Sequence, residues 1–428
     1  MNPIIELGAA VENAWREHEY DERAFPEIAR QALETRAPYN SFTVADLLRW
    51  ASTAPEFPHQ PDSAFGEPPV TLYAGRRFYI EALFWLDGTT TIHQHGFSGA
   101  FQVVEGSSLH TRFDFTCRRM MNKSLVIGDL RGSSPELLRR GDTRVIFPVD
   151  GLIHSVFHLE RPSVTLVVRT YQDPGASPQY RYLRPGIGVS SIYYDARLPR
   201  LMQLFETVFH ARLPNRIDIV RDFLSSSDLH SSVLVLERLS FVPRDELAVL
   251  GEVVGQRHPA VAEVLEAAVA ELRRQALIVQ RRKALRSPDH RFLLALLLNV
   301  DSRDEIIRLV RDRTPGRDPV DQIVQWVAEM SPTADAASPE DHAMSYSLGE
   351  IELRVFRGLL EQRSVEEIIT ALKDDFDDVE GQQQQLRALC TALQHSALFR
   401  LLLRRTDVPR LAPRVPGSVA GEELVNHG

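Results

Sequence analysis

Along the 428 residues the spacing of apolar side chains changes character twice. From the start to about residue 65, "IIELGAAVENAW", "FPEIARQALETR" and "TVADLLRWAS" place apolar residues three and four apart, which predicts helices, with Thr43 as N-cap of the third. The proline-rich "APEFPHQPDSAFGEPP" breaks that pattern, and from Val70 the period becomes two. "VTLYAGRRFYIEALFW" predicts a hairpin around Ala74-Gly75, and "AFQVVEGSSLHTRFDF" a second pair turning at Gly106-Ser107. "DTRVIFPVDGLIHSVFHL" and "SVTLVVRTY" predict further strands, so this region is expected to form a sandwich or small barrel. The segment from Cys117 to Arg140 is read as a loop over the barrel, and "QDPGASPQYRYLRPGIG" as its closing punctuation.

From about Arg197 the helical period returns and runs to "VDQIVQWVAEM". A linker, "SPTADAASPEDHAMS", then precedes three helices, and the tail beyond Asp407, with Pro409, Pro413 and Pro416, is expected to be disordered. No fixed repeat period emerges. The expectation is an α+β chain: N-terminal helices over 1–65 packed on a barrel over 66–185, a helical domain over 190–330, a small three-helix module over 345–406, and the tail 407–428.

Composition narrows the function. A net charge of −9 argues against nucleic acid as main partner, and the longest strongly apolar stretch, Phe292 to Val300, is far short of a bilayer span. The N-terminus lacks the basic head and apolar run of a secretory peptide, so the cytoplasm is the expected location. Cys117 and Cys390 lie far apart, which points to neither a disulfide nor a zinc knuckle. The ordinary reading of Cys117 is a small buried hydrophobe. The arginines and lysine at 273, 274, 281, 282, 283 and 286 read as a solvated helix face.

The chemistry points to "TIHQHGFSGAFQVVEG". Residues two apart on a strand share a face, roughly 6.5–7 Å apart, so His93 and His95 can converge on one target. Gly88 precedes them, Gly106 ends the next strand, and "GDTRVIFPVDGLIH" carries Gly141, Pro148, Gly151 and His154. These two motifs, over residues 68 to 172, resemble those of the cupin family. The resemblance implies a double-stranded β-helix barrel in which His93, His95 and His154 hold one metal. The glutamate of the family's first motif would fall at Gly99; Glu105 lies on the order of 20 Å along the strand from there, and Gln102 has the opposite parity.

A three-histidine set without that glutamate, together with "RRFYIEALFWLDGTTTIHQH" and "IHSVFHLERPSVTLVVRTY", resembles cysteine dioxygenase and related thiol dioxygenases. That resemblance implies Fe(II), dioxygen and a small thiol-containing or amino-acid-like substrate. Imidazole also suits zinc, nickel and copper, and manganese stays open. The early strand "PVTLY" offers Tyr73 where that group has an arginine, and the family's late-strand tyrosine falls at Arg169, with Tyr171 two residues on. Arg169, Tyr171 and Tyr73 are therefore the expected substrate contacts. His158 and His110 read as a strand-end surface imidazole and part of a polar barrel face.

Two rival expectations stand beside the oxygenase: a non-catalytic ligand-binding or regulatory cupin, and a zinc or manganese cupin isomerase or hydrolase. The three-helix module resembles a winged helix in topology. Its acidic "VEEIITALKDDFDD" suits a protein or peptide partner better than DNA.

Overall fold

A computed structural model of the chain describes residues 3–54, 56–61, 65–171, 178–190, 196–331, 348–372 and 379–404. The expected tail, and all of the expected linker except Ser331, lie outside these residues. Three helices come first, α1 (Pro3–Glu17), α2 (Phe25–Arg36) and α3 (Val44–Thr53). Thr43 caps α3 in a capping box with Asp46, as its sequence predicts.

Twelve antiparallel strands follow: β1 (Pro69–Ala74), β2 (Phe78–Trp85), β3 (His93–His95), β4 (Gly99–Glu105), β5 (Ser108–Asn122), β6 (Leu125–Gly132), β7 (Glu136–Leu138), β8 (Thr143–Ile146), β9 (Val149–His158), β10 (Ser163–Thr170), β11 (Tyr180–Leu183) and β12 (Ile187–Ser190). One sheet has the order β1-β2-β10-β4-β8; the other runs β6-β12-β11-β3-β9-β5-β7. Together they close into a barrel of the two-sheet form that the cupin resemblance implies.

Three expectations about the strands change. β4 and β5 flank the Gly106-Ser107 turn but do not pair, because the chain crosses there from one sheet to the other. The segment expected as a loop from Cys117 to Arg140 is instead the far half of β5, all of β6 and β7; Cys117 sits in the long β5–β6 ladder and is exposed. Of the closing punctuation, residues 172–177 lie outside the described residues, and the rest forms a hairpin, β11–β12, which joins the second sheet beside β3. Its strands are four residues each, too short for alternation to stand out against the prolines and glycines.

β2 and β10 are buried on both faces, which is why they read as near-continuous apolar runs, whereas the far half of β5 is exposed. On β2, Ile80, Ala82 and Phe84 face α1 and α2, joined by Leu166 and Val168 of β10, while Glu81, Leu83 and Trp85 face the barrel interior. The second sheet carries the helical half. Phe157 of β9 and Leu159 just beyond it enter a core shared with α9 (Pro288–Asn299), α10 (Arg303–Arg313), α11 (Pro319–Met330) and the three terminal helices, α12 (Glu350–Leu360), α13 (Val365–Ala371) and α14 (Val379–Gln394). Leu125, Leu183, Ile187 and Val189 enter another with the earlier helices α4 (Leu198–His210), α5 (Arg216–Leu224), α6 (Leu229–Arg238), α7 (Arg244–Arg257) and α8 (Ala262–Ala284).

The arginine cluster of α8 is not a solvated face. Arg274 and Arg282 are buried: Arg274 pairs with Glu271 at 2.7 Å, and Arg282 donates from Nη2 to the His158 carbonyl at 2.8 Å. Arg273 and Arg281 donate to the carbonyls of Phe241 and Met330, and only Lys283 and Arg286 of the cluster are exposed. A helix that looks basic from its sequence is thus the seam between barrel and helical half. Among the described residues no helix is long and apolar enough to cross a membrane.

Candidate metal centre

β3 pairs with β9 so that His93 stands opposite His154, with a register shift before His95. The ligating nitrogens of His93, His95 and His154 lie within 4.8 Å of one another, and all three rings are buried. This is the convergence that the two motifs imply, produced by cross-strand pairing of residues about sixty positions apart.

For His93 and His154 the neighbours of the ring decide which nitrogen carries a proton. His93 Nδ1 lies 2.7 Å from the Thr91 carbonyl, an acceptor only, so Nδ1 holds the hydrogen and Nε2 keeps its lone pair. That Nε2 is buried and has no hydrogen-bond partner among the described residues. His154 Nδ1 lies 2.9 Å from His110 Nε2, and His110 Nδ1 lies 2.8 Å from the Glu136 carboxylate. The carboxylate accepts from His110 Nδ1, which leaves His110 Nε2 to accept from His154 Nδ1, and so His154 Nε2 also presents a lone pair. His95 Nε2 faces His154 Nε2 at 2.8 Å.

Burial pushes the imidazoles toward the neutral form that ligates: His93 is lowered to about 4, and His95 and His154 well below their ordinary value. Three neutral imidazoles with Nε2 turned to a common point, one of them an orphaned buried acceptor, fit a metal of the borderline class. Gly99 stands where a carboxylate ligand would be, on the same strand parity as Phe101, which lines the cavity. Gln102 turns away as expected and donates to Gly141 O and Thr143 Oγ1.

The support behind His154 was not legible as such. His110, expected on a polar face, is buried, and Glu136 belongs to the segment expected as a loop. Arg144 grips Glu136 through Nε at 2.9 Å and Nη2 at 2.5 Å, and it is the main reason why that carboxyl is held well below the usual range. Glu136→Ala is expected to weaken metal affinity about 10–100-fold, because the His110–His154 tautomers lose their anchor. Competition with a chelator of known affinity measures this, and an unchanged constant would refute the relay.

A cavity of about 240 Å³ opens beside the histidines, with aromatic walls that include Tyr79, Trp85, Phe97 and Phe101. Arg169 lines it: its guanidinium lies 3.3 Å from the Phe97 ring centre and 3.4 Å from Glu81 Oε1. Glu81 is buried, and burial raises its carboxyl above the ordinary value. Glu81 is a missed residue whose signal was present, since it is the one charge in "FYIEALFW". Tyr73 and Tyr171 do not reach the cavity wall. Tyr73 packs against Phe78 and Gly8 beneath α1, because the strand bulges between Thr71 and Tyr73. Tyr171 is exposed, donates its hydroxyl to Gly75 O at 2.9 Å and stacks behind Tyr79.

His158, expected at the surface, is buried on the cavity wall, stacked on Trp85 with 4.5 Å between ring centres.

No protein-family model matches the chain, and no curated protein matches it. Solved structures that are similar include one from crystal structures of the DMSP lyases RdDddP and RnDddQII, 15% identical, with 41% of this chain and 97% of that one covered and a TM-score of 0.23. Another is the capsular polysaccharide assembling protein CapF from Staphylococcus aureus, 18% identical, with 37% of this chain and 44% of that one covered and a TM-score of 0.21. At such TM-scores neither carries an argument, and the case for a metal centre rests on the barrel and its three histidines.

Proposed function

We propose that the protein is a metal-dependent cupin oxygenase in which His93, His95 and His154 hold Fe(II), with dioxygen as cosubstrate and a small thiol-containing or amino-acid-like molecule as substrate. The observation that carries this reading is the trio of buried, neutral imidazoles, without a carboxylate, at the wall of a cavity that also holds a half-buried arginine. Bound there, the ion would supply open positions at which substrate and dioxygen meet. For a thiol the balance closes without a further reductant: RSH and O₂ give RSO₂H, the sulfur losing four electrons to the two oxygen atoms it gains.

The chain's own groups do the rest. Arg169 offers a guanidinium to a substrate carboxylate, held in place by the Phe97 ring and by Glu81. The aromatic walls keep water from the reacting atoms and strengthen that charge contact. The backing of His93 and His154 keeps both imidazoles turned to the ion without reorganisation.

The test is metal analysis of protein from iron-supplemented cells beside His93→Ala and His154→Ala, followed by oxygen uptake with a panel of thiols. Near-stoichiometric iron in the wild type, lost in both folded variants, and thiol-dependent oxygen consumption are expected. Bound zinc or manganese with no oxygen uptake would favour an isomerase or hydrolase. No metal after anaerobic Fe(II) addition would leave a ligand-binding cupin.

A further inference from the structure

Arg169 occupies one end of the cavity. The residues of β2 that face it run from Tyr79 through Glu81 and Leu83 to Trp85, about 20 Å of strand. Arg169 stands opposite Tyr79 in the β2–β10 register, with its guanidinium 5.1 Å from that ring centre. The other end is walled by Trp85 and His158. His95 and His93 lie between, in a continuous chain of ring contacts, Phe97 to His95 at 4.7 Å, His95 to His93 at 4.7 Å, His93 to Phe65 at 5.1 Å and Phe65 to Trp85 at 6.4 Å, and His154 packs against both, at 4.9 Å from His95 and 4.8 Å from His93.

His158 is built differently from the ligand histidines. His93 and the His154–His110 pair are backed by a carbonyl and a carboxylate, which accept only and so lock the tautomers. His158 Nδ1 is backed by the Ser108 hydroxyl at 2.9 Å, which can donate or accept. Its Nε2 can therefore present either a hydrogen or a lone pair. Three contacts fix the residue: the Trp85 stack, the Ser108 hydroxyl and the Arg282 guanidinium on its main-chain carbonyl. Nε2 itself is buried and has no partner among the described residues, a cost that a ligand would relieve.

We infer that His158 is the recognition group at the Trp85 end of the cavity, and that the substrate is elongated, with an anionic group at Arg169 and a neutral hydrogen-bonding group, a hydroxyl in the simplest case, at His158 Nε2. The inference rests on the proposed reading in taking this cavity as the substrate site, but not on iron or oxygen chemistry. It also gives the helical half a part in the site, because Arg282 of α8 holds the carbonyl of the recognition residue.

The probes are ω-hydroxy carboxylates of increasing chain length, each beside the methyl-terminated carboxylate of equal length, titrated calorimetrically into the Fe(II)-loaded and the metal-free protein under nitrogen. At one chain length the hydroxy member is expected to bind about tenfold more tightly than its partner. His158→Phe, which keeps a ring on Trp85, is expected to erase that preference and leave the methyl-terminated carboxylate's affinity unchanged, whereas Arg169→Met weakens both. Independently of any variant, the ¹⁵N resonance of His158 Nε2 is expected to move with the hydroxy member and not with its partner. Equal binding at every length, a preference that survives in His158→Phe, an unmoved resonance, or no carboxylate binding at all would each overturn the inference. The preference in a protein that takes up no iron would uphold it while the oxygenase reading failed.

Discussion

Gly99→Glu is expected to destabilise the barrel by more than about 3 kcal/mol and not to add a carboxylate to the metal centre. A Cβ at this position would lie 2.2 Å from the Val168 carbonyl oxygen and 3.0 Å from Arg169 Cα. Both are main-chain atoms of β10, which pairs with β4 across this position, so neither can swing aside as the end of a side chain would. Relief requires the two strands to part, which breaks ladder hydrogen bonds and moves Arg169 with them. Even Gly99→Ala meets the same contacts, and it is expected to show most of the loss. Urea denaturation of both variants, with metal analysis at low temperature, checks this. A glutamate variant with wild-type stability would refute the steric argument. The close approach of β4 and β10 is therefore what keeps a carboxylate from position 99 beside the three histidines.

The convergence of His93, His95 and His154 was legible because spacing rules act locally. A His-x-His on a strand shares a face whatever the rest of the chain does, and the Pro-x-x-Gly-x-x-His of β9 stands in one short segment. What surrounds the trio depends on partners distant in sequence, and there the reading failed. His110 has the same pattern as a solvated strand residue until β5 is placed against β9 and β7, which brings His154 to one side of its ring and Glu136 to the other. His158 does end β9, but its ring turns inward, and the Trp85 ring and Ser108 hydroxyl that enclose it belong to strands distant in sequence. The same holds for Arg282. Its sequence neighbours are charged, so the local pattern says solvent, but α8 is pressed between two cores and the guanidinium ends on the His158 carbonyl. Tyr73 was misplaced for a local reason, a bulge, which strict alternation cannot anticipate.

The metal-free protein is expected to lose stability steeply as the pH falls from about 6.5 to about 4. His93 is neutral in the folded barrel because burial lowers it to about 4 from the ordinary 6.5. Between those values the unfolded chain binds a proton that the folded chain excludes, so stability rises with pH across the window. The contribution of His93 is fully present above pH 6.5, amounts to about 3 kcal/mol, and is gone once the pH has passed the folded value. His95, His154 and His158 are shifted in the same direction, each chiefly by burial, and His110 likewise with Glu136 opposing. Glu81 works the other way, since its raised carboxyl takes up a proton more readily folded than unfolded. One group set against five leaves the sum destabilising in acid. Urea midpoints between pH 7.5 and 4.5, recorded with a chelator present, measure the slope, which is expected to correspond to more than one proton per molecule. A flat profile over that range would refute the neutral, buried state of the cluster. Adding a metal that binds should move the loss to lower pH, because ion and protons compete for the same Nε2 lone pairs.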